Sequence, residues 1–588
     1  MSSVPPVGSN GPRVANDAGV SNGNPQFSWN LTEANLMDLV HLLLPPDQVL
    51  PVIFVPGIMG TNLKTTDTKD APSVWRLDDI GGGIPTAARQ WIWRSAGTRQ
   101  TLLHPARTAV DNGGSVPDEC VGSVSATTEY TRRGWGEVGE TSYQDFLLWL
   151  ERTLNGYGAN PALWPDFLYA GFSATPEPGE YVPPSKLAPD VPMRMHKLPF
   201  MAEPGHLVDS IWSNDLIARA RYRMPVYACG YNWLASNNLA AGVLADKINA
   251  VIAENNRGYS KCGQVVLVTH SMGGLVARSC IQLDGMTDKI AGIVHGVMPA
   301  LGAAVAYRRC KIGIWDEANG LSADGAALTI GRTGKEITAV FAQAPGALQL
   351  LPNQDYRPNQ RGDWLRVVDP AGSPALRRPL TDPYKDIYQE RSRWWGLVRE
   401  AWLAPEGGIA IRWNDYAKNI KMAADYHAGV RTSYHPTTYV FYGADAEQPS
   451  FEGVTWNVDS LAHDLYAVKA AERTSTAKIV EMTFGEVTDT GENPLRICQQ
   501  LSPEQLRGPY PMQPALYGRL QCALQDGVGD GTVPESSGSA PRRMGGAAIQ
   551  QQFRLTGFAH EPAYHDPVVK QVALYSLMKI AAKAKVNA

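Results

Sequence analysis

The chain has 588 residues, enough for one large decorated domain or several small ones. Its formal net charge of -4 and charged fraction of 19% exclude the basic stripe expected of a nucleic-acid binder. Seven cysteines (Cys120, Cys229, Cys262, Cys280, Cys310, Cys498 and Cys522) are odd in number and lack metal-ligand spacing, which excludes a disulfide framework or zinc site and reads as reduced core thiols.

No apolar run approaches the length of a membrane-spanning helix. The N-terminus has no basic segment followed by an apolar one, so no signal peptide is expected. Residues 1–28 are Ser-, Gly-, Pro- and Asn-rich and are expected to be disordered or loosely attached. Residues 29–44 fit a short helix, and together residues 1–45 read as an N-terminal tail.

The first buried strand is Pro51-Val52-Ile53-Phe54-Val55, which runs into the glycine-punctuated turn Pro56-Gly57-Ile58-Met59-Gly60-Thr61-Asn62-Leu63. That turn is either an ordinary strand-to-loop connection or one wall of an oxyanion hole. Residues 64–205 are irregular and rich in Pro, Gly and Trp, more than a plain crossover needs, and read as an insertion. Within it Phe146-Leu147-Leu148-Trp149-Leu150 suggests one helix.

Regular alternation resumes with the strand Pro225-Val226-Tyr227-Ala228-Cys229, then Gly230-Tyr231-Asn232-Trp233. An amphipathic helix follows over residues 239–252, with Val243, Leu244, Ile248, Val251 and Ile252 on one face. Next comes Gln264-Val265-Val266-Leu267-Val268-Thr269-His270-Ser271-Met272-Gly273-Gly274-Leu275. A β-branched strand, small residues and a helical pattern in that order form a nucleophile elbow, G-x-S-x-G, with Thr269 in place of the first glycine. Such a turn lifts a serine oxygen clear of the sheet and aims a helix N-terminus at it.

Ile290-Ala291-Gly292-Ile293-Val294-His295 is a further strand, and the strand–helix rhythm means a parallel sheet covered on both faces. The fold class is therefore α/β, with the core's first half at 46–310. Residues 311–435 break the rhythm and read as a cap or lid insertion. Their tryptophan run, Arg393-Trp394-Trp395-Gly396-Leu397-Val398-Arg399-Glu400-Ala401-Trp402, fits either a helix packed on its own domain or a mobile substrate-facing lid. The core's second half, 436–588, opens with the strand Thr437-Thr438-Tyr439-Val440-Phe441-Tyr442. It continues through a polar excursion to Asp526-Gly527-Val528-Gly529-Asp530-Gly531-Thr532-Val533-Pro534. A last strand over residues 551–555 leads to Gly557-Phe558-Ala559-His560. Asp566 as N-cap and Pro567 as first helical residue then open a closing helix over 568–582.

A serine nucleophile needs a base, and the base needs a carboxylate to hold its tautomer. In the α/β-hydrolase order Ser, Asp/Glu, His, the candidates here are Ser271, Asp530 and His560. Asp530 is preferred to Asp526 because it heads the D-G-T-V-P pattern. His560 is preferred to His565, which adjoins the helix cap. His435 and His463 are expected at the surface, His295 in the core, and His270 pointing away from the reaction.

Val55-Pro56-Gly57-Ile58-Met59-Gly60-Thr61-Asn62-Leu63, Gly230-Tyr231-Asn232-Trp233, the serine turn and Gly529-Asp530-Gly531-Thr532-Val533-Pro534 resemble the lecithin:cholesterol acyltransferase and PGAP1-like lipase lineage. With Gly296-Val297-Met298-Pro299-Ala300-Leu301-Gly302 and His560-Glu561-Pro562-Ala563-Tyr564, the chain looks most like bacterial type VI secretion phospholipase effectors. The resemblance spans roughly 50–310 and 437–585. It implies an α/β-hydrolase fold with large cap insertions and attack on lipid acyl esters. It further implies oxyanion amides from Met272 and Ile58. The family often has Asp where Asn232 stands and Gly where Thr269 stands. The implied partners are a phospholipid substrate and membrane surface, with a secretion-apparatus or immunity protein, and no nucleic acid. The implied location is the bacterial cytoplasm, with export that needs no cleavable signal peptide. No cofactor or metal is called for. An acyltransferase of the same fold, or a non-catalytic binding module, are the alternative readings.

Overall fold

The computed structural model describes the chain from residue 46 to 587 except for 68–71, 77–90, 92, 119–125, 156–191, 194–201, 315–316, 318–329, 359–360, 461–475, 499–506 and 508–515. Before residue 46 it describes only short strands between residues 13 and 41. The helix expected over 29–44, about half of the 64–205 insertion, Cys120 and His463 lie wholly or largely outside the described residues.

In chain order the elements that carry the site begin with strand β1 (Val52–Val55) and helix α1 (Glu140–Asn155). They continue with β2 (Val226–Ala228), α2 (Asn237–Asn255), β3 (Val265–His270), α3 (Met272–Cys280) and β4 (Ile290–Gly296). The series closes with α4 (Trp413–Val430), β5 (Thr438–Gly443), β6 (Ile549–Leu555) and α5 (Pro567–Lys583). The six strands form one sheet in the order β2-β1-β3-β4-β5-β6, and every pairing is parallel.

Alternation along the strands builds two cores. Val52, Phe54, Val266 and Val268 point to one face, where α1 and α5 cover them. Ile53, Val55, Val265 and Leu267 point to the other, under α2 and α3. A strand buried on both faces must be apolar throughout, which is why these segments read as unbroken apolar runs. Helix α5 starts as expected: the Asp566 carboxylate accepts from the Val568 and Val569 amides at 2.7 and 3.0 Å, and Pro567 fills the first helical position. On α2 the expected Leu244, Ile248 and Val251 are buried and Ile252 packs against the core, while Val243 is exposed and Ala240, Ala241 and Ala245 complete the buried face.

A second sheet of six described strands was not anticipated. Its order is Pro374–Arg378, Leu365–Val368, Val454–Ser460, Leu516–Cys522, Leu495–Cys498 and Val487–Thr488. All neighbours are antiparallel save Leu365–Val368 with Val454–Ser460. It draws strands from both sides of residue 435, so the polar excursion after β5 and the segment before it fold together. Leu365, Val367, Trp456 and Leu520 on this sheet join the same core as α2 and α3.

Within residues 1–28, where a disordered or loosely attached tail is expected, Asn16–Ser21 pairs antiparallel with Asn24–Ser28. The sequence Asn22-Gly23 between them is a strong hairpin signal. The tryptophan run at 393–402 is neither an α-helix nor an exposed lid. Trp394, Trp395 and Trp402 are buried, and the first two donate their indole N–H groups to the carbonyls of Ile479 and Val480 at 2.8 and 2.9 Å. Gly396 is required where it stands, because a Cβ there would lie 2.2 Å from the Glu390 carbonyl oxygen. Of the six described cysteines, those at 229, 262, 280, 310 and 522 are buried and Cys498 is half-buried, and none of the six is in a disulfide.

Trp394 is fully buried with its N–H satisfied, so Trp394→Ala leaves a large cavity and orphans the Ile479 carbonyl. We expect a stability loss of about 3–5 kcal/mol in urea unfolding. A loss below about 1 kcal/mol would show that the segment is loosely held after all.

Candidate active site

A parallel sheet puts the carboxyl ends of all its strands along one edge, and the loops that leave that edge meet there. Ser271 follows β3 directly, with φ 50° and ψ -122°. A side-chain-bearing residue in that conformation costs of order 1–3 kcal/mol and persists only where its surroundings fix it. Here the Ser271 amide donates to the Gly296 carbonyl at the end of β4, at 2.9 Å. Gly273 lets α3 approach the end of β1: a Cβ there would lie 2.3 Å from the Val55 carbonyl oxygen. The Thr269 substitution is absorbed sideways, since its hydroxyl lies 3.0 Å from His295 Nδ1 on β4. Asn232 is likewise explained. Its amide donates to the Pro105 and Thr108 carbonyls and the Thr108 hydroxyl at 2.9–3.0 Å, three acceptors that an aspartate could not serve.

Asp530 and His560 reach the same edge from beyond β5 and β6. Asp530 is buried and uses both oxygens. Oδ1 accepts from the amides of Thr532 and Val533 at 3.1 and 2.7 Å, and Oδ2 lies 2.8 Å from His560 Nδ1. Gly443, at the end of β5, makes room for it, because a Cβ there would lie 2.7 Å from the Asp530 Cβ. The His560 amide donates to the Asp530 carbonyl at 2.7 Å, so the two loops are tied by backbone as well as side chain. His560 Nε2 lies 2.9 Å from Ser271 Oγ. A carboxylate oxygen only accepts, so Nδ1 carries the imidazole proton and Nε2 is left to accept from the serine hydroxyl.

The sequence-derived residues therefore converge: Ser271, Asp530 and His560 form one hydrogen-bonded chain. Asp526 does not join it; it accepts from the Glu452 and Gly453 amides just before the strand Val454–Ser460, and burial raises its pKa. His565 is also elsewhere, with Nε2 3.1 Å from the Ser142 carbonyl on α1. Met272 is the first residue of α3, and the opening amides of a helix have no partner within it. Ile58 lies in the turn after β1, closed by the Gly60 amide donating to the Gly57 carbonyl at 3.1 Å. That turn abuts the serine: a Cβ on Gly57 would lie 3.0 Å from the Ser271 Cβ.

His435 is a correction. It is buried at the entry to β5, held by the Thr437 amide and the Thr287 carbonyl, instead of lying at the surface. His295 lies in the core, as expected. His270 is turned off the serine but is not idle, because its Nε2 lies 2.9 Å from the His560 carbonyl oxygen and its Nδ1 3.0 Å from the Tyr143 hydroxyl. Tyr143 escaped the sequence reading altogether. It stands 127 residues before His270, and only the amphipathic pattern of α1 marks its surroundings.

With this geometry in hand, comparison with solved structures finds a similar chain in the crystal structure of the Tle4–Tli4 complex. The identity is 28% and the TM-score 0.66, over 90% of this chain and 98% of that one. The resemblance to type VI phospholipase effectors is borne out. No family model matches the sequence, and no curated protein matches it. The likeness and the parallel sheet agree on an α/β fold of the hydrolase kind.

Burial holds three histidines neutral. His270 and His295 are each pushed down to about 3 and His427 to about 4, in every case chiefly by loss of solvent. Between those values and 6.5 the unfolded chain binds more protons than the folded one, so stability is complete above pH 6.5 and is lost as pH falls. Each histidine should subtract about 2 kcal/mol from the unfolding free energy between pH 7 and pH 5. Urea unfolding across that range measures it, and a flat profile would mean that these imidazoles reach solvent.

Proposed function

We propose that this protein is a serine hydrolase of lipid acyl esters, a phospholipase of A type that acts as an antibacterial type VI effector. The observation that carries the reading is the unbroken chain from Asp530 through His560 to Ser271, at the N-terminus of α3. The likeness to a chain of the Tle4–Tli4 complex supports the effector part of the reading. It also supports a protein partner for this chain, of the immunity kind.

In the proposed reaction the Ser271 oxygen attacks the acyl carbonyl while His560 Nε2 takes the hydroxyl proton. Asp530 holds the tautomer through Nδ1 and stabilises the imidazolium as it forms. The carbonyl oxygen gathers negative charge at the N-terminus of α3, where the Met272 amide and the Ile58 amide from the β1 turn receive it. His560 then returns its proton to the departing lysophospholipid oxygen. Water repeats the cycle on the acyl-serine, releasing fatty acid. The residues of the two insertions are proposed to cap the site and meet the acyl chains.

Ser271→Ala and His560→Ala should each reduce turnover by on the order of a millionfold while remaining folded, because the three residues act as a unit. His565→Ala removes a bond to α1 and should keep most of its activity, with a stability loss of about 1 kcal/mol. The reverse pattern in the two histidine variants would sink the assignment. Mass spectrometry after incubation with mixed phospholipid vesicles should find lysophospholipid and free fatty acid in equal amounts. Acyl ester on an added alcohol in excess of free fatty acid would make the protein an acyltransferase.

A further inference from the structure

The first turn of α1 touches the turn after β1, the end of β3 and the loop that carries His560. The Ser142 hydroxyl donates to the Glu561 carboxylate, next to His560. The Ser142 carbonyl meets His565. One residue on, the Tyr143 hydroxyl receives the Gly57 amide at 3.3 Å and lies 3.0 Å from His270 Nδ1. His270 completes the path, with Nε2 2.9 Å from the His560 carbonyl.

The proton positions along this path follow from chemistry. A carbonyl oxygen only accepts, so His270 Nε2 must carry a proton. The ring is neutral, because burial and the nearby His560 push it down to about 3. Nδ1 is therefore bare and accepts from the Tyr143 hydroxyl, whose own oxygen accepts from Gly57. Every donor has an acceptor in this one arrangement. If His270 took the other tautomer, Nδ1–H would face a tyrosine left without an acceptor, and Nε2 would face the His560 carbonyl with lone pair against lone pair.

We propose that Tyr143 and His270 are positioning residues for the hydrolysis inferred above: Tyr143 fixes the His270 tautomer, and His270 thereby holds the His560 main chain at its distance from Ser271. The role rests on the proposed function but is separable from it, since Ser271 and the Tyr143–His270 pair share no hydrogen bond.

A double-mutant cycle on a soluble short-chain ester tests the proposal. Glutamine places an amide N–H near the position of Nε2 and has no tautomers, so His270→Gln should stay within about threefold of the wild type in kcat. His270→Leu removes the donor and should lower kcat about tenfold or more with KM little changed. Tyr143→Phe alone should lower kcat about tenfold by freeing the tautomer, yet cost less than about twofold in the His270→Gln background. Thermal melting of each variant accompanies the kinetics. Equal losses from Tyr143→Phe in both backgrounds would overturn the tautomer role. Equal losses from His270→Gln and His270→Leu would overturn the role of the donor, and that comparison stands even where Tyr143→Phe does not fold. Ser271→Ala in the same assay separates the two levels. If it keeps activity, the serine-hydrolase reading fails; if it is inactive and the cycle is additive, only the positioning role fails.

Discussion

The backbone of Ser271 is the constraint on which the rest of the structure depends. With φ at 50°, the residue sits where L side chains rarely go, and only its neighbours keep it there. The Ser271 amide is held by β4, the Thr269 side chain by His295, and the Thr269 carbonyl by the Tyr564 hydroxyl at 2.9 Å. Small residues then let everything close in. Gly273 admits the end of β1, Gly57 admits the serine, and Gly443 admits Asp530. A larger side chain at any of these would separate elements that a hydrogen-bonded chain of 2.8 and 2.9 Å requires to be in register.

The central sheet was legible because it is parallel and covered on both faces, so each strand is an apolar run bounded by turn residues. The order Ser271, Asp530, His560 was legible for a related reason: each follows a recognisable strand or a Gly-rich turn. The second sheet was not: Pro374–Arg378 shows no clean alternation, and Val454–Ser460, whose Val454, Trp456 and Val458 are buried in alternation, lies in a stretch otherwise polar enough to read as an excursion. Two of its pairings also join distant segments, Leu365–Val368 with Val454–Ser460 and Val454–Ser460 with Leu516–Cys522, and pairing at that separation leaves no local signature. The tryptophan run misled for a different reason. Large apolar side chains at close spacing say that a segment is buried but not in what backbone form, and here indole N–H bonds to residues 479 and 480 decided the matter.

Tyr143 and His270 were illegible in a more general way. A hydroxyl on a helix and an imidazole on a strand acquire meaning only when the chain brings them within 3.0 Å across 127 residues. The sequence placed His270 correctly on its strand, yet the reading that it points away from the reaction captured its direction and missed its consequence. Its ring avoids the serine and supports the main chain of the residue that faces the serine.

That position also explains why His270 lies deep in the protein. Its ring centroid is 5.2 Å from that of His560. In the proposed reaction His560 becomes a cation while the acyl intermediate forms. A second cation at that distance would oppose it by about 3 kcal/mol at an effective dielectric constant near 20, enough to slow the step more than a hundredfold. Burial removes the threat, because an imidazole pushed down to about 3 stays neutral wherever the protein is folded and active. The same burial gives the neutral ring two distinct nitrogens, one to donate and one to accept, which a charged ring would lack. Desolvation of one histidine thus spares its neighbour a repulsion and supplies the fixed N–H that holds that neighbour's main chain.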